Sequence, residues 1–546
     1  MPSSSASPRP FADFGPSLAD TEPTPCLNEK AMDRVAGVLL GAGAGDALGV
    51  PYEFRPSMSD TQSPEMKGGG PFNFAPGEYS DDTQMHVCIA EVAATGADLR
   101  TREALDAIAM NFLRWYAGGP ADVGNQTRSI LGTTMRAKGA SPSDAMSAAS
   151  RQYAADRPKA SAGNGSLMRT GTIALAYLDD VKAMAKAVRL VSELTHADPD
   201  GDCAEACILW CSGIRTAVLA GTFDGVRQGL DLLPEERRAL WAARLDAAES
   251  HPPHSFQRNG WVVEALQAAW SAITHTPVPE DLPERGSFAA QHFQLALEAA
   301  VRTGNDTDTV AAIAGALLGA RWGASAVPLA WQNKIHGWPT NTSKDLVRLA
   351  VLAARKGQDD RDGWPSSARV NAPASSGKAF SVRHPHDPGL ILGNLALTEH
   401  VGSAQVDAVV SLCRVGSSKI LTDADIQHVR VWLVDKSATN THLHFTLDQA
   451  AREILRLRQE GKRVLLHCVA GRSRTPAVAA VYSHLAYGVP PMDSLRQINR
   501  VLGGYWTLPN HPEMLKAVFQ LAGAEPQRAA FRLGRRSRWR ELIPRR

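Results

Sequence analysis

The sequence predicts a multidomain chain, an all-α domain followed by an α/β domain. Three observations lead there. A chain of 546 residues is too long for one core. From residue 31 to 355 aromatic residues are sparse, alanine is abundant and apolar residues recur at helical spacing, as Met32, Val35, Val38 and Leu39 do. Beyond residue 378, short apolar runs of strand length precede Ala/Val-rich segments of helical length.

The flanks divide the chain further. Residues 1–30 are rich in Ser, Pro and Asp without an apolar core, so they read as a disordered segment and as neither signal peptide nor membrane span. Residues 356–378 are polar, Gly/Pro/Ser-rich and aperiodic, and read as a linker. No run looks long and apolar enough to cross a bilayer, so no membrane partner is expected. The Arg-rich tail, residues 525–546, reads as a solvated end rather than a nucleic-acid contact, and the net charge of +2 selects no polyanionic partner. Seven cysteines without a disulfide pattern suit a reducing, cytoplasmic setting. Cys203, Cys207 and Cys211 recur every fourth residue and read as a helix-packing stripe, because three thiols on one face match no common metal spacing.

In the helical region Gly41, Gly43 and Gly45 permit close packing of the first helix, which runs into Gly45-Asp46 and then Tyr52-Glu53-Phe54. Ser80-Asp81-Asp82 and Asp306-x-Asp308-Thr309 each open a predicted helix. Ser and Asp are good N-caps, and either cluster alone reads that way. Together they are two sets of hard oxygen donors, suited to one or two Mg2+ or Mn2+ ions. Neighbouring carboxylates resist ionising together unless cations are present. Between them lie Gly124-Asn125, Ser161, Gly163-Asn164-Gly165-Ser166 and Thr195-His196.

In this order, the Ser/Thr-Asp-Asp-Thr and Gly-x-Asp-Thr-Asp-Thr motifs resemble those of the ADP-ribosylglycohydrolase family, the dinitrogenase-reductase-activating type, over residues 31–355. The resemblance implies an all-α fold and two divalent cations in a central cleft. It implies hydrolysis of an ADP-ribosyl bond at the anomeric carbon, on an ADP-ribosylated protein or an ADP-ribose derivative. Ser80, Asp81, Asp82, Asp306, Asp308 and Thr309 would be the metal ligands. Glu53 matches an acidic position that serves as ligand or base, or else is a surface acid. Gly124, Asn125, Ser161, Gly163 and Asn164 would line the diphosphate and ribose pocket. His196 would contact substrate or sit in the core. Ser80 stands where Thr is common. Asn305 stands where Gly is frequent, and Asn is the next best residue if positive φ is required.

In the second region Val464-Leu465-Leu466 reads as a buried strand ending at His467-Cys468, followed by a glycine-containing loop and a helix from about Thr475. Backbone N–H groups of Val469, Ala470, Gly471, Arg472 and Ser473 and of the first helical turn can converge on a phosphate. The same field favours the Cys468 thiolate as a nucleophile. Arg474 can grip phosphate oxygens as a fork, and Thr475 can donate to the departing sulfur.

The run His-Cys-x5-Arg-Thr is similar to that of the cysteine-dependent protein phosphatases, closest to the dual-specificity group, over residues 379–524. Pro388–Asn394 and Asp407–Leu412 resemble the family's first strands. The resemblance implies a thiophosphate intermediate, a phosphorylated protein or small phosphoester as substrate, and a general-acid Asp after a strand. Val429–Val434 reads as that strand and Asp435 as the acid. Asp423, Asp425 and Asp448 read as solvated surface acids. The two regions together imply a bifunctional hydrolase. The competing expectation is an ADP-ribose-binding module that delivers a phosphatase and does not itself turn over.

Overall fold

The computed structural model describes residues 27–368, 378–400, 405–416, 426–504 and 506–533. Asp423, Asp425 and the disordered-segment expectation for residues 1–26 lie outside them. The first domain is helical. Helix α1, Glu29–Gly49, begins two residues before the sequence suggested, because the Asn28 side chain accepts the Ala31 N–H at 2.9 Å and caps it. The other helices that position the site are α2 (Asp81–Ala93), α3 (Asn125–Thr134), α4 (Asp202–Ala220), α5 (Thr307–Trp322) and α6 (Ser343–Ala354).

One contact organises this domain. A Cβ placed on Gly37, Gly41 or Gly45 would lie 2.2, 2.2 or 2.0 Å from the carbonyl oxygen of Gly319, Gly315 or Ala311. Helices α1 and α5 therefore run antiparallel with their backbones touching. The contact stripe uses Gly37, Gly41 and Gly45. Gly43 faces elsewhere, towards Leu346 of α6. At the end of the stripe a Cβ on Gly49 would fall 2.4 Å from the Asp308 Cα, so the same contact sets the C-terminal end of α1, with Asp46, against the N-terminal end of α5, with Asp308. Gly45→Ala is expected to separate the helices and lower stability by roughly 1–3 kcal/mol, the range for overpacking, as read by thermal unfolding.

Cys203, Cys207 and Cys211 are buried along α4. Their thiols face Gly163 O at 3.4 Å, Ser166 Oγ at 3.5 Å and Thr170 O at 3.4 Å. The stripe supports the segment from Gly163 to Thr170 from below.

The second domain is α/β. Its five strands are β1 (Ser381–Arg383), β2 (Leu390–Asn394), β3 (Ala408–Ser411), β4 (Gln427–Arg430) and β5 (Val464–Cys468), in the order β1-β2-β5-β3-β4. Only β1 is antiparallel to its neighbour. Central strand β5 is buried on both faces, Leu466 lying between Leu392 and Val410, as expected for a strand covered by helices such as α7 (Leu443–Gln459) and α8 (Arg474–Tyr487).

Several expectations are corrected. The strand before Asp435 is Gln427–Arg430. Its last ladder bond is Val431 N–H to Ser411 O at 2.9 Å, and Val431–Val434 beyond it is apolar because it is packed, not because it pairs. Asp448 is a buried acid on α7, held by Arg452 Nε at 2.7 Å, rather than a solvated one. Among the described residues two helical stretches, Glu29–Tyr52 and Asp202–Ala220, are long and apolar enough to span a bilayer by length and composition; both are interior, 100% and 78% buried. The first part of the linker is docked. Trp364 is buried edge-on against Trp432, 5.8 Å between ring centroids, with the Arg414 guanidinium over its ring at 4.5 Å. Across the domain boundary Phe445 packs on Phe288, His442 Nε2 meets Trp322 O at 2.7 Å, and Asn333 donates to Glu453 at 2.7 Å.

Candidate active sites

Four segments of the helical domain converge on one acidic centre. Asp46 ends α1, Glu53 follows the turn after it, Ser80-Asp81-Asp82 opens α2, and Asp306-Thr307-Asp308-Thr309 opens α5. Oxygens of Asp46, Asp82 and Asp308 lie within 4.8 Å of one another, and so do those of Glu53, Asp306 and Asp308. Asp308 belongs to both groups.

The backbone is built to present these groups. Asp46 accepts from Ser80 N and Oγ at 2.8 and 2.9 Å and from Thr83 N and Oγ1 at 2.9 and 2.6 Å, which locks the start of α2 onto the end of α1. Ser80 Oγ also lies 3.0 Å from Asp82 Oδ2. The Thr309 N–H donates to Asp308 Oδ1 at 3.0 Å. Asn305 has φ +59°, after Gly304 at +80°, so this turn does require the left-handed region, and Asn supplies it. Asp81 belongs to neither group of three.

The electrostatics of this centre call for cations. Burial raises the Asp82 and Asp308 carboxyls well above the usual range, and their acidic neighbours raise them further. Burial, then Asp122, Asp306, Asp81 and Asp46, pushes Glu53 up to about 9. Glu53 Oε2 and Asp82 Oδ1 are buried without any hydrogen-bond partner. An all-oxygen donor set with orphaned carboxylate atoms fits hard divalent cations.

Around this centre, Asn164 Nδ2 donates to Asp306 Oδ2 at 2.7 Å and to Asn259 O at 2.8 Å. Ser161 is buried, Asn125 is exposed at the start of α3, and Gly163 precedes Asn164 in the loop. His196 is buried behind that loop. Its Nδ1 meets Thr195 Oγ1 at 2.7 Å, and a Cβ on Gly165 would lie 3.1 Å from its ring, so it backs the loop rather than facing the cleft. Burial, then Arg169, holds it neutral.

Sequence reasoning passed over Asp46, Asp122 and Asn259. Asn259 Oδ1 accepts the Asp306 N–H at 3.1 Å, and its Nδ2 donates to Gly304 O at 2.9 Å. For Asp46 a signal existed: an acid near the end of a long apolar, glycine-rich stretch of the helix.

In the second domain Cys468 ends the central strand, where open parallel sheets place their ligands. The loop from Val469 to Ser473 then turns into α8. Gly471 has φ +69°, and a Cβ there would meet Phe380 Cζ at 2.5 Å and Gly393 O at 2.6 Å, so no other residue fits. Val469 O accepts from Leu395 N–H at 3.1 Å and Arg472 O from Thr507 N–H at 2.8 Å, fixing the loop from both sides.

Arg474 is buried. Its Nη1 donates to Leu412 O at 2.8 Å and Leu433 O at 3.2 Å, pinning one edge of the guanidinium, while Nε lies 3.1 Å from Asp435 Oδ1. Ser473 Oγ also donates to Asp435 Oδ1. Asp435 is half-exposed beside the loop. Thr475 Oγ1 is buried without a partner, free to turn to sulfur. His467 Nε2 meets Ser411 Oγ at 2.6 Å, which in turn meets His428 Nε2 at 2.8 Å; burial lowers His467 to about 4 and keeps it neutral.

The fold and the two centres define a two-domain hydrolase. Comparison with known proteins agrees. Residues 27–361 match the family model for ADP-ribosylglycohydrolase, and the chain belongs to that family. Residues 394–488 match the model for the dual specificity phosphatase catalytic domain. Among relatives, the ADP-ribosylarginine hydrolase Tri1 of Pseudomonas putida (strain GB-1) is 28% identical over 327 residues, covering 58% of this chain and 77% of its own. The ADP-ribosyl-(dinitrogen reductase) glycohydrolase of Rhodospirillum rubrum is 27% identical over 309 residues, covering 56% and 90%. ADP-ribosylhydrolase ARH3 of Homo sapiens is 28% identical over 351 residues, covering 57% and 91%.

Proposed function

We propose that the chain is a bifunctional enzyme: a divalent-cation-dependent ADP-ribosyl hydrolase joined to a phosphatase that works through Cys468. The observation that carries the first half is the convergence of Asp46, Glu53, Asp82, Asp306 and Asp308 on one buried centre with orphaned oxygens. Of these, Asp46, Asp82, Asp306 and Asp308 would hold Mg2+ or Mn2+, with Ser80, Asp81 and Thr309 at their flank and Glu53 left for proton transfer. Cations bound there supply Lewis acidity and neutralise the clustered charge.

The chain's own groups do the rest. Asn164 orients Asp306, the Gly163-Asn164 loop and Gly124-Asn125 receive the diphosphate and ribose, and Glu53 takes the proton of the attacking water. The bond from the anomeric carbon to its leaving group breaks as the water oxygen bonds to that carbon, and the leaving nitrogen or oxygen carries away the proton that Glu53 took from the water. An arginine-linked conjugate is the first substrate to try, given the named activity of the Pseudomonas putida relative. The test is release of ADP-ribose from arginine- and serine-linked conjugates with Mg2+ or Mn2+, against the same reaction in a chelator. Intact ADP-ribose binding with no cation-dependent release would overturn the reading.

In the second half, the Cys468 thiolate attacks phosphorus and the ester P–O bond breaks, its oxygen taking a proton from Asp435. Arg474 and the loop N–H groups hold the transferring oxygens. Water then bonds to phosphorus, Asp435 takes back a proton, and the S–P bond breaks with Thr475 Oγ1 donating to sulfur. Asp435→Asn is expected to lower turnover by about 10²–10⁴-fold on alkyl phosphates, the range for a general acid, and far less on aryl phosphates whose phenolate leaves unaided. A substitution effect of equal size on both substrate classes would remove Asp435 from that role.

A further inference from the structure

The two domains enclose a cavity of about 550 Å³ that neither catalytic centre uses. That volume lies in the range of small-molecule sites, which favour domain boundaries and are too small for a polymer. Lys334 and Arg348 line it from the helical domain, Arg414 and Arg430 from the α/β domain. Arg414 is answered by Glu29 at 2.8 Å and Asp360 at 3.4 Å. Among the described residues, the side-chain nitrogens of Lys334, Arg348 and Arg430 have neither a hydrogen bond nor an ion pair. Among the described residues Asp345 is the one carboxylate in the lining, and it is occupied in capping α6 through Thr342 N and Oγ1, both at 3.0 Å. Burial lowers Arg430 to about 10, so this guanidinium has lost water without gaining a hydrogen-bonded counterion.

Arg348 and Arg430 come from different domains and have no hydrogen-bonded counterion among the described residues, Asp345 acting on Arg430 only at a distance, so an anion between them is favoured. The cavity offers a second recognition element as well. Trp364 and Trp432 both line it, and indole faces are the usual platform for a planar base.

We propose that the interdomain cavity binds a nucleoside diphosphate, its phosphates answering Arg348 and Arg430 and its base lying against the indole of Trp432. The shared chemistry has two sources, a free nucleotide such as ADP or the ADP half of ADP-ribose. The assignment does not rest on either catalytic activity. Its α/β wall runs through Leu433, whose carbonyl holds Arg474, and ends one residue short of Asp435.

The test is isothermal titration of the full chain with ADP, ADP-ribose and inorganic pyrophosphate. ADP is expected to bind, and Arg430→Gln and Arg348→Gln, on opposite walls, are each expected to weaken it at least tenfold with the melting temperature unchanged. Arg348 lies in the helical domain, so its effect cannot come from the Cys468 loop. Tighter binding of ADP-ribose than of ADP at the Arg348-sensitive site identifies ADP-ribose as the source, and the reverse identifies free nucleotide. ADP binding that is absent at millimolar concentration, or indifferent to both substitutions, overturns the proposal. Pyrophosphate binding as tightly as ADP overturns it too, since the indoles would then contribute nothing.

Discussion

Cys468→Ser is expected to lower phosphatase turnover by roughly 10⁶-fold, the scale seen when a covalent nucleophile is removed from an otherwise intact site. The substitution changes one atom in a buried position, so the fold, the loop and the Arg474 anchor to Leu412 O and Leu433 O stay in place. What is lost is the sulfur that forms the covalent bond to phosphorus. A serine hydroxyl in the same place is a poor nucleophile without a base, and in the proposed mechanism Asp435 serves the leaving group. Binding should survive, because the loop amides and Arg474 make it. The measurement is p-nitrophenyl phosphate turnover of wild type and variant, with phosphate affinity measured in parallel and ADP-ribose release as the internal control. Turnover that persists in the variant removes Cys468 as nucleophile. Loss of ADP-ribose release in the same variant would show that the substitution had damaged more than one centre.

The phosphatase-like centre was legible in sequence because its chemistry is nearly contiguous. Strand, nucleophile, glycine turn, arginine and helix start all fall between Val464 and Thr475, where local pattern and function coincide. Asp435 was legible only by resemblance, and the strand before it was drawn too long. Val431–Val434 is as apolar as a strand, yet Leu433 uses its carbonyl on Arg474, and a hydrophobic run does not say which backbone groups pair with a ladder. The acidic centre shows the opposite case. Ser80-Asp81-Asp82 and Asp306-x-Asp308 announce themselves as clusters. Asp46 does not, because its partners Ser80 and Thr83 lie 34 and 37 residues away and only the glycine contact between α1 and α5 brings it beside Asp308. Asn305 was readable, since its φ of +59° is a local backbone demand. Trp364 was not, because the linker's polar composition masked a ring whose partner, Trp432, belongs to the other domain.

Asp308→Asn is expected to lower ADP-ribosyl hydrolysis by on the order of 10³-fold. Asp308 is the one carboxylate common to both groups of three, so replacing it weakens both candidate cation positions at once. Loss of the several kcal/mol a bound cation lends to charge development corresponds to about that factor at tenfold per 1.36 kcal/mol. Activity alone would not separate a ligand from a packing residue, and stability does. In chelator the variant should melt no lower than wild type, and above it wherever the wild-type cluster is ionised. Burial, then Glu53, Asp82, Asp306 and Asp46, disfavours a charge at position 308, and the amide carries none. With Mn2+ added the order reverses. Wild type gains RT ln(1 + [L]/Kd), about 2.7 kcal/mol at one hundred times Kd, and the variant gains little because it has lost the shared ligand. The expected result is therefore a crossing of two melting curves series: the amide at least as stable without cation, the carboxylate more stable with it. Equal Mn2+ stabilisation of both proteins, or hydrolysis indifferent to chelator, would mean that the buried carboxylates serve some other end than holding cations.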